Sequence, residues 1–347
     1  MAEHKSRIRI ALVGAGIFAR ESHLPALLRL GDEFEVVAVY SRTRANAAAL
    51  AESLPNVATL YSDVGELLAD PAVEAVDLVL PIQHQPAVIE QALRAGKHVI
   101  SEKPMAPDVA TARRLLDLYH SNPVGSAGPG PIRQVWMVGE NWRYESAFVR
   151  AATLVAEGAI GRPFACSWSL HLPVNPANKY YHTEWRRSGE FPGGFLMDGG
   201  VHHVATLRLI LGEIERVAAT LRQVRADLPP ADTLGATLHF ANGAIGSYLV
   251  TYAAAAPWAG ALHVTGEAGS LRVDRGRIEL AAGGEVQVFE TIERDGVQGE
   301  LSAFAAAVRT NAPHRNTPAE GLRDVAVVEA MLRSAASGQW EAVAADA

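Results

Sequence analysis

The sequence has little of what disulfide-stapled or membrane-spanning proteins need. Its 347 residues include one cysteine, Cys166. No intrachain disulfide can form, which fits a reducing compartment, and a zinc site built on several cysteines is excluded. No apolar run reaches the about 20 residues of a membrane span. The N-terminal run breaks into glycines, without a signal-peptide pattern. We therefore expect a cytoplasmic protein with no membrane partner.

Basic charge is also scarce. The chain has 31 Lys and Arg residues against 38 Asp and Glu, a net charge of −7, and no long basic run. Nucleic acid is therefore not expected as a partner. The 12 histidines show no H-E-x-x-H or other clustered ligand spacing, so no metal is predicted. At about 150 residues per domain, the length predicts about two domains.

Apolar runs alternate with helical patterns in the first half of the chain. This alternation predicts an α/β Rossmann fold, a doubly wound parallel sheet with helices on both faces. A stretch rich in Ser, Gly and Pro at 121–131 predicts a surface loop. The strands are predicted at 8–13, 35–41, 57–61, 75–80, 98–101 and 133–138.

The second half has a different pattern. Helices are predicted at 147–157 and 199–211, and a long irregular stretch of aromatic and polar residues at 173–191 has the length of a functional loop. Two helices close the chain. We predict an α+β domain with a large, mostly antiparallel open sheet, and domain limits of 1–143 and 144–347. The strands are predicted at 164–170, 216–225, 233–240, 244–251, 261–265, 270–274, 277–280 and 286–290.

A glycine motif follows the first strand. Residues 14–19 read Gly-Ala-Gly-Ile-Phe-Ala, a G-x-G-x-x-A pattern. Gly14 allows the tight turn, Gly16 lets the backbone approach a pyrophosphate, and Ala19 lets helix and strand pack closely. The helix N-terminus would then face the phosphates. A plain packing turn is the alternative. The predicted dinucleotide contacts here are Gly14, Ala15, Gly16, Ile17 and Phe18.

The end of the second strand bears on the choice of cofactor. Residues 40–44 include no Asp or Glu that could accept a hydrogen bond from the ribose 2′-hydroxyl of NAD. Ser41 can donate to a 2′-phosphate, and Arg42 or Arg44 can pair with it. We predict NADP as the preferred cofactor over NAD. The alternative is a solvated basic loop at a helix start.

Three more segments complete a family pattern. Leu-Pro-Ile-Gln-His at 80–84 follows the fourth strand, and Glu-Lys-Pro at 102–104 follows the next one. Asp198-Gly-Gly-Val-His202 opens a helix in the second half. With the glycine motif, this ordered set resembles the Gfo/Idh/MocA family of oxidoreductases, which includes glucose–fructose oxidoreductase and inositol dehydrogenase. The resemblance extends from residue 8 to the last helices.

The resemblance implies NAD(P)-dependent hydride transfer to or from a hydroxyl or carbonyl carbon of a sugar, cyclitol or related small polar substrate. It implies that Glu102 lies near the nicotinamide ribose and Lys103 beside the reacting carbon, where an ammonium stabilises alkoxide character. It also implies a nicotinamide pocket that includes Leu80, Pro81 and His84. Relatives commonly have Thr-Pro in place of Leu-Pro, and their histidine lies one position further from the proline.

The helix motif supplies acid–base groups. His202 is the natural proton acceptor, and Asp198, four residues earlier, can bind a substrate hydroxyl. The reverse assignment, with Lys103 as the proton acceptor, stays open, as does Asp198 as a helix N-cap. We interpret His203 as a packing or supporting residue. Many relatives carry an acidic residue where this chain has Ala205.

Aromatic and polar residues mark the expected substrate side. Their rings can stack on the CH surfaces of a sugar, and their charged groups can bind hydroxyls or a carboxylate. The same residue types are enriched at dimer interfaces, so that alternative stays open. The predicted substrate contacts are Trp142, Arg143, Tyr181, His182, Trp185 and Arg186, with Asn141, Lys179 and Tyr180 close by in the sequence.

The resemblance also implies a homodimer or homotetramer formed through the sheet of the second domain. Two other functions stay open at this point. One is an enzyme of the same superfamily that uses tightly held NAD for redox-assisted glycoside hydrolysis or elimination. The other is a non-catalytic sensor that binds a dinucleotide and a partner protein.

Overall fold

The computed structural model of the protein describes the chain in five stretches and divides it into two compact units. The first unit comprises the described residues of 1–106, 110–140 and 297–322, and the second those of 107–109, 141–296 and 323–347. The predicted loop at 121–131 lies outside the described residues, except for Ser121. The domain limits of 1–143 and 144–347 remain a prediction from the sequence. The described stretches are 6–121, 133–189, 191–258, 260–292 and 294–344.

The first unit is built on a six-stranded sheet in which all neighbouring strands are parallel. Its strands are β1 (Ile8–Val13), β2 (Phe34–Tyr40), β3 (Thr59–Tyr61), β4 (Ala75–Leu78), β5 (His98–Glu102) and β6 (Trp136–Gly139). Their order is β3-β2-β1-β4-β5-β6. The order reverses between β1 and β4, and ligands of open α/β sheets bind at the carboxyl ends of the strands near such a point. The predicted Rossmann fold is confirmed.

The second unit contains a nine-stranded sheet with the order β14-β13-β12-β11-β7-β10-β9-β8-β15. Among the described strands, β7 and β10 form a parallel pair and the other pairs are antiparallel, which confirms the predicted mostly antiparallel sheet. The strand β15 was not predicted because two residues are too few for a periodic pattern. The strands are β7 (Pro163–His171), β8 (Ile214–Arg222), β9 (Thr233–Phe240), β10 (Ile245–Thr251), β11 (Leu262–Gly266), β12 (Gly269–Asp274), β13 (Arg277–Ala282), β14 (Glu285–Glu290) and β15 (Glu341–Ala342).

Most helices agree with the sequence pattern to within a few residues. The helix predicted at 199–211 begins earlier, at Phe195, and the short helix Glu184–Arg187 lies in the stretch predicted to be irregular. The helix predicted after the glycine motif contains a π-helical turn, Ala19–His23, before its α-helical part. In the described part of the chain, no helix has the length and apolar character needed to cross a membrane. The helices are α1 (Leu24–Arg29), α2 (Arg44–Ala51), α3 (Val64–Ala69), α4 (Gln85–Arg94), α5 (Val109–Ser121), α6 (Ser146–Ala156), α7 (Glu184–Arg187), α8 (Phe195–Leu211), α9 (Gly296–Thr310) and α10 (Pro318–Ser337).

The sheet of the second unit has one buried and one exposed face. Cys166, Trp168 and Leu170 point inward along β7, whereas Ser167 on the same strand and Leu249 on β10 are exposed. Burial raises the pKa of the Cys166 thiol to about 12, so the single cysteine is a core residue rather than a reactive thiol.

The core of the first unit includes a helix from near the end of the chain. Helix α9 contributes Leu301, Phe304 and Val308, whose spacing of three and four residues puts them on one face. The ring of Phe304 stacks on that of Phe34 in β2 at a centroid distance of 6.4 Å. Residues far apart in the sequence therefore complete one hydrophobic core.

This packing makes Phe304 a test of the core. Phe304 is fully buried, so Phe304→Ala leaves a cavity and should lower the free energy of unfolding by about 3 to 5 kcal/mol. The measurement is urea unfolding followed by circular dichroism. Val57→Ala, at a side chain that is 99% exposed, is the control and should leave stability almost unchanged. Equal midpoints for the two variants would contradict the assignment of α9 to this core.

Candidate active site

The glycine motif forms a close contact with the strand beside it. Gly14 has a φ of +116°, and a Cβ atom on it would lie 2.2 Å from the carbonyl oxygen of Val79 and 3.5 Å from the side chain of Leu80. Only glycine fits that backbone conformation and that space. The segment after β4 and the glycine loop are therefore in contact, which brings two predicted cofactor segments together.

The rest of the motif leaves room on one side. A Cβ atom on Gly16 would have nothing within 4 Å, whereas Ala15 and Ala19 are buried. Ile17 and Phe18 are partly buried, and the ring of Phe18 meets that of His23 edge-on at 5.1 Å. The open side at Gly16 is the kind of space that a bound phosphate needs.

The end of β2 has the polar groups predicted for it. Ser41 is partly buried, and its hydroxyl oxygen accepts a hydrogen bond from the backbone N–H of Thr43 at 3.3 Å. Arg42 and Arg44 are exposed, and in the described part of the chain neither forms an ion pair with a carboxylate. These groups are thus available to solvent at the carboxyl edge of the sheet.

The Glu-Lys-Pro segment ends β5 at the same edge of the sheet. Glu102 is buried and Lys103 partly buried, and the Lys103–Pro104 peptide bond is cis. The Glu102 carboxylate accepts a hydrogen bond from the Lys103 backbone N–H at 3.2 Å. Pro81 is partly buried, and His84 is exposed, at the residue preceding α4, with no side-chain capping bond.

Two residues that the sequence did not single out hold this segment. The buried amide of Gln85 donates to the backbone carbonyls of Glu102 and Pro104. His23 lies within hydrogen-bond distance of the Glu102 carboxylate, at 2.9 Å. Neither position carries a local sequence signal, because each acts through a contact with a distant strand.

The second unit carries Asp198 and His202 on α8. The helix begins at Phe195, and Gly194, with a φ of +50°, is its N-cap residue. The alternative that Asp198 caps the helix is therefore wrong, because the helix starts earlier than predicted. Asp198 and His202 occupy the first two turns, one helical turn apart and on the same side.

The Asp198 carboxylate forms an ion pair inside this unit. The Nε atom of Arg186 donates to Asp198 Oδ2 at 2.8 Å, with both side chains less than one fifth exposed. The Arg186 guanidinium lies over the ring of Trp185 at 4.0 Å and near that of Tyr180 at 5.1 Å. The long irregular stretch therefore contacts the helix motif directly.

The His202 ring has a fixed orientation. It stacks on the ring of Trp142 at a centroid distance of 5.0 Å and an angle of 13°. The neighbouring His203 is buried, and its Nδ1 lies 2.6 Å from the hydroxyl of Tyr248. This agrees with the interpretation of His203 as a supporting residue.

The other predicted substrate residues lie in different surroundings. Arg143 is buried and donates to Asp324 at 2.7 Å. Asn141 is also buried. The Tyr181 hydroxyl donates to Asp227 at 2.7 Å, a bond that raises the pKa of Tyr181. His182 is exposed, with its Nε2 3.1 Å from the carbonyl oxygen of Pro176. Contacts join Trp142 to His202, and Arg186 to both Asp198 and Trp185.

Tyr252 is a further polar group beside Asp198. A Cβ atom on Gly199 would lie 1.8 Å from the Tyr252 hydroxyl, so this position must be glycine for the tyrosine to fit. Burial, together with the negative charge of Asp198, raises the pKa of Tyr252. Its buried hydroxyl has no hydrogen-bond partner within the described residues.

Comparison with known proteins gives consistent matches along the chain. A model of an oxidoreductase family, NAD-binding Rossmann fold, matches residues 8–125. A model of an oxidoreductase family, C-terminal alpha/beta domain, matches residues 152–343.

Individual proteins match over nearly the full length. Dehydrogenase FPY6 of Fusarium mangiferae is 35% identical, with 95% of this chain and 97% of that protein covered. The dTDP-3,4-didehydro-2,6-dideoxy-alpha-D-glucose 3-reductase of Streptomyces violaceoruber is 30% identical, with 87% and 85% covered. The crystal structure of an oxidoreductase from Thermotoga maritima has a TM-score of 0.88 at 36% identity, with 97% and 99% covered.

The buried Tyr252 hydroxyl gives a stability prediction. Tyr252→Phe removes a polar group that has no partner, so the free energy of unfolding should rise by about 1 kcal/mol. Tyr248→Phe is the matched control, because its hydroxyl is bonded to His203. That variant should lose about 1 to 2 kcal/mol. Thermal and urea unfolding measure both, and a loss of stability in Tyr252→Phe would show that its hydroxyl has a partner.

Proposed function

The chain belongs to the Gfo/Idh/MocA oxidoreductase family, and we propose that it transfers a hydride between NADP and a hydroxyl or carbonyl carbon of a sugar, cyclitol or related small polar substrate. Its relatives are dehydrogenases and reductases, and its first unit has the fold that binds a nicotinamide dinucleotide. The observation that carries the proposal is the buried Glu102 followed by Lys103 at the carboxyl end of β5. In this fold, that edge of the sheet is where ligands bind.

The first unit fits a dinucleotide. The left-handed Gly14 and the open side of Gly16 leave the loop backbone accessible to a pyrophosphate. The bound nicotinamide supplies or accepts the hydride. The residues proposed to hold the cofactor are Gly14, Ala15, Gly16, Ile17, Phe18, Ser41, Arg42, Leu80, Pro81, His84, Glu102 and Lys103.

NADP is the proposed cofactor because of the groups at the end of β2. Residues 40–44 carry no carboxylate that would hold the ribose hydroxyls of NAD and repel a phosphate. The exposed Arg42 and the Ser41 hydroxyl can instead bind a 2′-phosphate through charge-assisted hydrogen bonds.

His202 is the proposed proton acceptor in alcohol oxidation. As the C–H bond breaks and its electron pair leaves as hydride, the hydroxyl proton passes to the imidazole and a C=O bond forms. The Lys103 ammonium donates a hydrogen bond to the substrate oxygen and stabilises its developing negative charge. Carbonyl reduction runs the same steps in reverse. The stacking on Trp142 supports this role, since it fixes the plane of the His202 ring.

The charged groups around Asp198 support a polyhydroxylated substrate. The Asp198 carboxylate accepts hydrogen bonds and Arg186 donates them, so together they match a pair of sugar hydroxyls. Trp142 and Trp185 are the proposed contacts for CH groups of the substrate, each with one ring face covered, that of Trp142 by His202 and that of Trp185 by the Arg186 guanidinium. The Streptomyces violaceoruber relative is, by its name, a reductase of a dTDP-linked deoxysugar, which agrees with this substrate class.

A second copy of the chain is the proposed partner of the exposed sheet face. Ile245 and Leu249 on β10, and Val286 and Val288 on β14, are exposed on the same face of the sheet. Exposed apolar side chains on one face of a sheet are typical of an interface. A homodimer or homotetramer would cover it.

The cofactor assignment predicts a selective effect of Arg42→Ala. Loss of a charge-assisted bond to the 2′-phosphate should weaken NADPH binding by about 1 to 3 kcal/mol and leave NADH binding nearly unchanged. Titration of nicotinamide fluorescence measures both affinities. Arg162→Ala, at an exposed arginine paired with Glu267, is the control. Equal affinities of the unmodified protein for NADPH and NADH would rule out the preference.

The catalytic assignment predicts the effect of removing either reactive group. Lys103→Met and His202→Ala should each lower the hydride-transfer rate by about 100-fold or more. His202 is not among the proposed cofactor contacts, so His202→Ala should keep cofactor affinity near that of the unmodified protein. His120→Ala, at an exposed histidine of α5, should have no effect.

The substrate for these measurements comes from a screen of sugars and polyols with NADP⁺ and NAD⁺, followed by the absorbance of the reduced nicotinamide. Full turnover in both variants would place the chemistry elsewhere. Absence of turnover with every sugar and polyol would contradict the proposed substrate class.

A further inference from the structure

A buried cluster of ionisable groups lies in the first unit, behind the Glu102–Lys103 segment. It consists of His23 from the π-helical turn, Asp77 from β4, Glu102 from β5 and Glu300 from α9. His23, Asp77 and Glu300 are at most 1% exposed. Four ionisable residues from four elements rarely meet in a core unless they are paired.

The histidine bridges two carboxylates. Its Nδ1 lies 2.8 Å from Asp77 Oδ2, and its Nε2 lies 2.9 Å from Glu102 Oε1. A neutral imidazole has one N–H and could donate to only one of them. Two hydrogen bonds to two carboxylates therefore require the doubly protonated imidazolium, or else a proton on one carboxyl group.

The surrounding charges favour the imidazolium. Burial by itself lowers the pKa of His23, but the charge and hydrogen bonds of Asp77, and then those of Glu102, outweigh it and hold this pKa well above its ordinary value. A single buried cation between two anions also lowers the cost of burying the Asp77 carboxylate.

Glu300 is the fourth member of the cluster and lies against Glu102 and His23. One of its carboxyl oxygens accepts from the Asn316 amide at 3.3 Å, and its oxygens approach those of Glu102 and the His23 ring within a group spanning 4.8 Å. Burial, and then the negative charges of Glu102, Glu140 and Asp77, raise the pKa of Glu300 well above its ordinary value, against the opposing effect of His23.

We propose that His23 is a positioning residue, held as an imidazolium between Asp77 and Glu102, which fixes the Glu102 carboxylate for cofactor binding and orients the Lys103 backbone through it. Glu102 Oε1 is held by His23, and Glu102 Oε2 accepts from the Lys103 N–H. Gln85 holds the backbone carbonyls on either side of Lys103. The segment is thereby held by His23 at the Glu102 carboxylate and by Gln85 at the backbone. The role of Glu102 in cofactor binding rests on the proposed function, whereas the protonation state of His23 does not.

Nuclear magnetic resonance of the cofactor-free protein tests the protonation state. In protein with ¹⁵N-labelled histidine, the His23 signals are identified by their absence in His23→Gln. Both ring nitrogens should carry a proton at pH 8. Asp77→Asn should move the His23 titration to lower pH. Glu300→Gln should leave it unchanged, because burial beside Glu102 favours the neutral form of Glu300 and an amide resembles a neutral carboxyl group in shape and charge. A ring nitrogen without a proton at pH 7 would overturn the proposal.

The pH dependence of stability gives a second test, with opposite signs for two histidines. A pKa raised by folding contributes stability that is complete below about pH 6.5 and is lost as the pH rises through the folded-state value. The Tm of the unmodified protein should exceed that of His23→Gln, and this difference should therefore shrink from pH 6 to pH 9. His98→Gln is the matched control. Burial lowers the pKa of His98, so the Tm difference between the unmodified protein and His98→Gln should shrink as the pH falls below about 6.5. A Tm difference between the unmodified protein and His23→Gln that does not change with pH would contradict a protonated His23.

Cofactor affinity tests the positioning role. His23→Gln and Asp77→Asn should weaken NADPH binding five- to tenfold at pH 8, with unchanged circular dichroism, and Glu300→Gln should not. If His23→Gln and Asp77→Asn fold and bind NADPH with unchanged affinity, the cluster has only a structural role. If His23→Gln fails to fold, Asp77→Asn decides alone.

These outcomes separate the two proposals. If the unmodified protein bound no nicotinamide dinucleotide, the proposed function would fail while the resonance data could still establish the imidazolium. Elemental analysis tests the remaining alternative, which is a metal ion bound by the cluster. One equivalent of a divalent metal that is lost in His23→Gln would show that the cluster binds a cation instead of a proton, and would overturn the proposal.

Discussion

The need to bury charge at the carboxyl edge of the parallel sheet constrains the whole first unit. Glu102 lies at the end of an interior strand, and its neighbours must compensate a carboxylate that has left water. That requirement accounts for a histidine in the turn after the glycine loop and an aspartate in a strand whose residues are all buried. This histidine is the last residue of the π-helical turn Ala19–His23, and its ring reaches both acids.

In the second unit, arginines compensate the buried carboxylate charge. Arg143 and Arg208 are both buried, and each donates to the Asp324 carboxylate, at 2.7 and 2.6 Å. Arg208 also binds Glu213 with two hydrogen bonds. Such a network resists the loss of any one member, because a single deletion leaves the others buried without compensation. It supports α8, the helix that carries Asp198 and His202.

Patterns within short stretches of sequence predicted most of the architecture. The alternation of strands and helices gave the parallel sheet, and period-two patterns gave the antiparallel one. The glycine motif and the Glu-Lys-Pro segment could be assigned because each combines a local backbone requirement with its chemistry. The start of α8 was misjudged, since the two glycines before Phe195 resemble a turn as much as a helix N-terminus. Gln85, His23, Tyr252 and the Arg186–Asp198 pair had no local signature, because each depends on contacts between elements far apart in the chain.

The contribution of α9 to the first core has a consequence for synthesis. A ribosome releases β1 through β6 long before Phe304, the residue that covers Phe34. Until then, the nascent parallel sheet has an uncovered apolar surface, which is a substrate for chaperones and a starting point for aggregation. The first unit therefore becomes complete only after residues 141–296 of the second unit have been made, because its last segment is 297–322.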